Sequence, residues 1–168
     1  MGLMSHEFNN LNDLFVHELK DLYDAEQRLT EALPQMAEAA HNPQLKNAFL
    51  NHLEQTKVHV DRLEQIFNRV GCDAERETCP AMKGLVQEGS HIISAKGDDA
   101  TIDAGLIAAA QKVEHYEIAS YGTVRNFAQQ LGLDDVANTL QMTLDEEGEA
   151  DKLLTQIAES STNRQAAN

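Results

Sequence analysis

The chain has 168 residues, 42% hydrophobic and 24% charged, with 3 prolines, 9 glycines and no tryptophan. This is the composition of one globular domain and not of a disordered chain. Its 28 acidic residues against 13 basic ones give a net charge of −15, a field that repels phosphate backbones and anionic lipid but attracts cations, so nucleic acid and membrane surfaces are excluded as partners. No apolar run approaches the roughly 20 residues that span a bilayer. Met1 to Asn10 lack the basic-then-apolar pattern of a secretory signal, and His6 stands where acylation at Gly2 would require Ser or Thr, so a cytoplasmic location is expected.

From about residue 10 to 41 apolar residues recur at helical spacing, with Leu11, Phe15, Leu22, Leu29, Leu33, Met36 and Ala40 on one face. Asn9, Asn10 or Asn12 can cap the start. Pro34 is expected to kink the helix about a turn earlier, where its ring crowds the carbonyl of Thr30. Asn42-Pro43 reads as a cap with proline at the first helical position. It opens a second helix over about 43–70, with Leu45, Phe49, Leu53, Thr56, Val60, Leu63, Phe67 and Val70 inward and Gly71 as the stop. So short a link makes the two helices antiparallel neighbours.

Residues 72–78 are polar and aperiodic, a loop. Cys79-Pro80 opens a shorter helix over about 80–96 through Met82, Leu85, Val86 and Ile93, which is expected to cross the bundle or a partner subunit. Asp98 or Asp99 caps a third long helix over about 99–131, striped by Ile102, Leu106, Ala110, Val113, Tyr121, Val124, Ala128 and Leu131 and ended by Gly132. Asp134 caps a fourth over about 134–160, with Val136, Leu140, Leu144, Leu154 and Ala158 inward, and residues 161–168 are expected to fray. The pattern predicts a single all-α domain over 1–168. Two long hairpins joined by a crossover form an antiparallel four-helix bundle, with one short extra helix, the ferritin-like arrangement. Cys72 and Cys79 are expected as reduced thiols; a small disulfide-closed loop or a thiol pair at an interface is the alternative.

Acidic residues sit near the middle of every long helix: Glu18 and Glu26, Glu54, Glu114 and Glu117, then Glu146, Glu147 and Asp151. Antiparallel hairpins bring these midpoints level. Glu117 falls between Val113 and Tyr121 on the apolar stripe, Glu147 between Leu144 and Leu154, and Asp151 one turn further. Buried carboxylates must be protonated, paired, hydrogen-bonded or bound to metal. As hard oxygen donors, they suit iron, manganese, magnesium or calcium better than copper. Tyr23, Tyr116 and Tyr121 read as packing residues with a hydroxyl to satisfy. Glu88 and His91 have Glu-x-x-His spacing without the rest of a motif, and read as surface.

The runs Asp21-Leu-Tyr-Asp-Ala-Glu26, His52-Leu-Glu-Gln-Thr56, Cys79-Pro-Ala-Met82, Lys112-Val-Glu-His-Tyr-Glu-Ile-Ala-Ser-Tyr121 and Leu144-Asp-Glu-Glu147 resemble the YciF-type proteins. These are small bacterial stress-associated members of the ferritin-like superfamily. The resemblance covers about Leu11 to Glu159 and implies a homodimeric bundle similar in fold to that of rubrerythrin. Carried over residue by residue, it implies Glu26, Glu54, Glu114, Glu117 and Glu147 as metal ligands. The histidine positions of the superfamily fall on Lys57 and Ala150, so both imidazoles are lost. Asp151 can stand in on the fourth helix. His52 and His59 flank the second helix's stripe and are expected as satisfied or half-exposed histidines before ligands.

Two functions follow. In one, two iron or manganese ions sit among Glu26, Glu54, Glu114, Glu117, Glu147 and Asp151, and the protein handles iron and oxidants as a ferroxidase- or peroxidase-like di-metal oxidoreductase. In the other the site is a relic that holds no metal, its carboxylates neutralised by Lys57, Arg125 or shared protons, and the dimeric bundle acts as a structural or protein-interaction module.

Overall fold

The computed structural model describes residues 6–167; the readings on a signal over Met1 to Asn10 and on acylation at Gly2 fall in part on Met1–Ser5, outside the described residues. Four long helices, α1 (Leu11–Ala39), α2 (Pro43–Val70), α4 (Asp99–Gln130) and α5 (Asp134–Ile157), form two antiparallel hairpins, and α3 (Pro80–Ile93) lies in the crossover between them. Their ends follow local chemistry. Asn10, Asn42 and Asp98 cap α1, α2 and α4 by accepting backbone N–H bonds, while Gly71 and Gly132 adopt left-handed φ of 77° and 73° after α2 and α4. The start of α5 differs from expectation: Asp134 is its first helical residue, and Leu133 precedes it without a side-chain cap bond. The helix of α1 runs on through Pro34.

The chain after α5 also departs from the expected fraying. Ala158–Thr162 forms a π turn and Asn163–Ala166 a short helix, α6. Ala158 and Thr162 are buried, and the amide of Asn42 bonds the Thr162 hydroxyl at 3.4 Å, which anchors the tail at the α1–α2 link. A second tie holds that link. Buried Asp103 of α4 accepts from the backbone N–H groups of His41 (2.9 Å) and Asn42 (2.7 Å), so the hairpin turn leaves no orphan donor there.

α3 packs across α1 and α4, and Gly105 permits the approach: a Cβ there would stand 2.9 Å from Ile92 Cγ2. The crossover loop is fastened by Asp24 of α1. Its buried carboxylate accepts from Arg28 Nε (2.6 Å), Arg76 Nε (2.9 Å) and the N–H of Cys79 (2.9 Å). Cys79 is buried and its Sγ caps α3 by accepting from the Met82 N–H; neither it nor half-buried Cys72 is bridged. Burial alone would raise the Asp24 carboxyl, yet the two guanidiniums and the amide hold it below its usual value. Its stabilisation is therefore present above the unfolded pKa near 3.8 and lost as pH falls through the folded one. Asp24→Ala is expected to cost about 3 kcal/mol at neutral pH, since it strips a buried charge from its partners; urea unfolding reads this, and a loss below about 1 kcal/mol would contradict it.

Two apolar clusters fill the bundle ends. One holds Leu29, Leu33, Leu45, Phe49, Leu106 and Leu154, the other Phe15, Leu22, Leu63, Phe67, Val124 and Leu140. On each long helix the sequence passes from one cluster to the other through one short polar interval: Glu26, His52 to His59, Glu114 to Glu117, and Glu147. All four intervals meet at mid-bundle. No described helix is long and apolar enough to cross a membrane.

Candidate metal centre

Those intervals bring six ligating side chains together in two groups. His52, Glu114, Glu117 and Glu147 each offer a donor atom within 4.8 Å of the others, and so do Glu26, His59 and Glu147. Glu147 belongs to both. All six residues are buried. Glu26 comes from α1, both histidines from α2, Glu114 and Glu117 from α4 and Glu147 from α5, so the site exists only in the assembled bundle.

The separations are short. His52 Nε2 lies 3.4 Å from Glu114 Oε1 and 3.6 Å from Glu147 Oε2, while His59 Nδ1 lies 3.4 Å from Glu26 Oε1 and 3.0 Å from Glu147 Oε1. Yet eight buried atoms facing this volume have no hydrogen-bond partner: Glu26 Oε2, His52 Nε2, His59 Nδ1, Glu114 Oε2 and both oxygens of Glu117 and of Glu147. Unpaired buried polar atoms are costly and rare. Eight such atoms in two adjoining groups that share Glu147 could hold metal ions.

The outer nitrogen of each imidazole is occupied. His59 Nε2 faces Glu146 Oε2 at 2.8 Å, and His52 Nδ1 faces Gln55 Oε1 at 3.4 Å. With a metal bound, an acceptor at the outer nitrogen would take the imidazole proton and leave the inner nitrogen as ligand, the tautomer a metal needs. Glu146 is itself held by Arg62, through Nη1 at 2.6 Å and Nη2 at 3.0 Å, and these contacts keep its carboxyl below the usual range. Tyr121 donates its hydroxyl to Glu26 Oε1.

Without a cation the cluster is electrostatically strained. Burial, then the neighbouring charge of Glu147, drives the Glu114 and Glu117 carboxyls well above their usual value, and burial also raises Glu26. Burial alone would lower His59, but the carboxylates of Glu147 and Glu26 close to its Nδ1 prevail and push it up to about 11. A protonated His59 is the internal substitute for a bound cation.

Of the residues expected as ligands, Glu26, Glu114, Glu117 and Glu147 are brought together and two are not. Glu54 is exposed and pairs with Lys57 at 2.6 Å, outside the bundle. That same pair removes Lys57 from any neutralising role in the core. Asp151 turns toward α4's outer side, accepting from Gln111 Nε2 at 3.0 Å with His115 Nε2 at 3.3 Å. The imidazoles that seemed lost come from His52 and His59. Among the buried residues of α2, Leu45, Phe49, His52, Thr56, His59, Leu63 and Ile66 follow alternating steps of four and three along a seam, with Ala48 and Phe67 beside it. The stripe drawn through Leu53 and Val60 sits one position to the side. A third group, His6, His17 and Glu77, lies at the surface and ties the N-terminal segment to the crossover loop.

A family model described as a domain of unknown function, DUF892, matches residues 10–167. The chain belongs to the DUF892 family. This DUF892 chain is 43% identical over 159 residues to protein YciF of Escherichia coli K12, covering 94% of itself and 96% of that protein. The crystal structure of that stress protein superposes with a TM-score of 0.89 over 93% of this chain and 99% of its own. YcfI of Rhodopseudomonas palustris is 40% identical, with a TM-score of 0.87 over 91% and 98%. A Xanthomonas campestris protein at 20% identity and a TM-score of 0.73 shares the fold. The DUF892 chain is thus a YciF-like protein with a ferritin-like all-helical bundle.

Proposed function

We propose that this protein is a di-metal stress protein whose two cations, iron or manganese, share Glu147. His52, Glu114 and Glu117 would complete one half and Glu26 and His59 the other. The observation that carries this reading is the gathering of six unpartnered buried donor atoms around the shared carboxylate of Glu147, whose own two oxygens are also unpartnered. Two nitrogen and four carboxylate side chains suit iron or manganese, and their four carboxylate charges match two divalent cations. Two ferrous ions held there would supply two electrons, the number that reduces one peroxide to water with two protons, and the benefit to the cell would be removal of oxidant together with free ferrous iron.

The chain's own residues do the rest. Glu147 would serve both positions, the apolar clusters pack above and below, and Glu146 and Gln55 would fix the tautomers of the two imidazoles by accepting at their outer nitrogens. Tyr121 donates its hydroxyl to Glu26 Oε1, which leaves Oε2 without a partner. The implied assembly is a homodimer, which sedimentation equilibrium would report as twice the 18.6 kDa chain mass. Anaerobically ferrous-loaded protein exposed to peroxide is expected to oxidise its iron within seconds, and His59→Ala to slow this at least tenfold. Equal rates in both, or none beyond free iron, would remove the assignment.

The second reading is a bundle that holds no metal and works through a partner. The pairing of His59 with Glu26 and Glu147 favours it, because it supplies one internal positive charge. One imidazolium against four carboxylates leaves most of the converging atoms unexplained, so the di-metal reading stands first.

A further inference from the structure

The cluster is sealed on one side and open on the other. At the His59 end, Tyr121 covers Glu26, and Glu146 clamped by Arg62 covers the imidazole. An approaching cation meets a guanidinium there. At the His52 end a pocket of about 380 Å³ opens between α2 and α5, with His52 and Glu114 in its wall and Glu54 and Glu149 exposed beside them. Both of these wall residues also carry an unpartnered buried atom, His52 Nε2 and Glu114 Oε2. Ala150, standing where the superfamily resemblance expects a histidine, also lines the pocket. A methyl group leaves open the space that a larger side chain would fill.

We propose that this pocket is the port through which hydrated divalent cations reach the centre, a step that rests on the di-metal reading above. Glu54 and Glu149 collect the ion at the rim, and His52 with Glu114 receive it. The two ends differ in charge: at the sealed end Arg62 neutralises Glu146, while at the open end Glu54 and Glu149 face Lys57 alone, within a chain whose net charge of −15 already concentrates cations at its surface. Glu54 is free to take part, since its bond to Lys57 joins two exposed side chains and such pairs are weak.

The test is the rate of cobalt(II) uptake by the metal-free full chain, followed by stopped-flow visible absorbance, with the final stoichiometry measured alongside. Ala150→Met, which fills the port, and the double variant Glu54→Gln/Glu149→Gln are each expected to slow uptake at least tenfold at low ionic strength. Both should reach the wild-type stoichiometry and final spectrum. The double variant's deficit should shrink with added salt, as a steering effect does. Wild-type rates in both variants, with full stoichiometry, would overturn the port and leave the centre standing. A lower cobalt stoichiometry in Glu54→Gln/Glu149→Gln would make these residues ligands and also overturn it. A wild type that takes up no cobalt would overturn the centre and the port together.

Discussion

Replacing Glu147 with alanine is expected to abolish metal retention in both halves of the cluster at once. The residue contributes Oε1 toward His59 and Oε2 toward His52, and both oxygens are buried without a hydrogen-bond partner. Losing it leaves one half with His52, Glu114 and Glu117 and the other with Glu26 and His59 alone. Two ligands do not hold a ferrous ion against desalting, and the remaining three lose the carboxylate that links the halves. Elemental analysis after anaerobic loading should therefore read near zero for Glu147→Ala. Glu54→Ala and Asp151→Ala, whose side chains lie outside the cluster, should keep wild-type metal. Retention of half the metal by Glu147→Ala would show that the two groups are independent sites.

The second large effect is on stability without metal. Glu117 is fully buried, with both carboxylate oxygens unpaired. Replacing it with leucine removes a buried ionisable group at nearly constant volume, so the metal-free protein is expected to gain about 2 kcal/mol at neutral pH while losing metal binding. Stability given up for a site is a familiar exchange. The pH dependence follows from the same groups. Glu114 and Glu117 titrate above 4.5 in the folded chain because of burial and then the charge of Glu147, so folding binds protons that the unfolded chain releases. Their contribution is full below about pH 4.5 and is lost as pH rises toward the folded value. His59 acts with the same sign: its contribution is full below 6.5 and disappears as pH climbs to about 11. The metal-free protein should therefore melt higher at pH 5.5 than at pH 8. Divalent metal should reverse the order, since the ligands must shed protons to bind it. A metal-free melting temperature that rises with pH, or a Glu117→Leu variant less stable than wild type, would contradict this account.

The helices were legible because their signals are local. Asn42-Pro43, Cys79-Pro80, Gly71 and Gly132 mark ends by their own backbone chemistry, and the apolar spacing of α1, α4 and α5 survives a wheel drawn by eye. Glu117 and Glu147 were legible for the same reason, as charges standing on apolar stripes. The histidines were not. On α2, His52 and His59 occupy seam positions beside Leu53 and Val60, which are partly buried too. Two adjacent stripes are thus nearly equal in hydrophobicity, and one step of rotation moves an imidazole from the flank to the centre. Weighting the exact three-and-four alternation through Leu45, Phe49, Thr56, Leu63 and Ile66 would have separated them. Superfamily spacing pointed to Glu54 and Lys57 instead, because it assumes one imidazole on each of two helices, whereas here α2 supplies both. Asp151 shows the limit of turn counting. It follows Glu147 by one turn, yet Gln111 and His115 draw it to the outer α4–α5 seam.

Anomalous diffraction at the iron edge, from crystals loaded anaerobically with ferrous iron, tests the central claim most directly. Two peaks are expected inside the bundle, one on each side of Glu147, the first beside His52, Glu114 and Glu117 and the second beside Glu26 and His59. A bundle interior without iron, its carboxylates instead closed on a protonated His59, would contradict it.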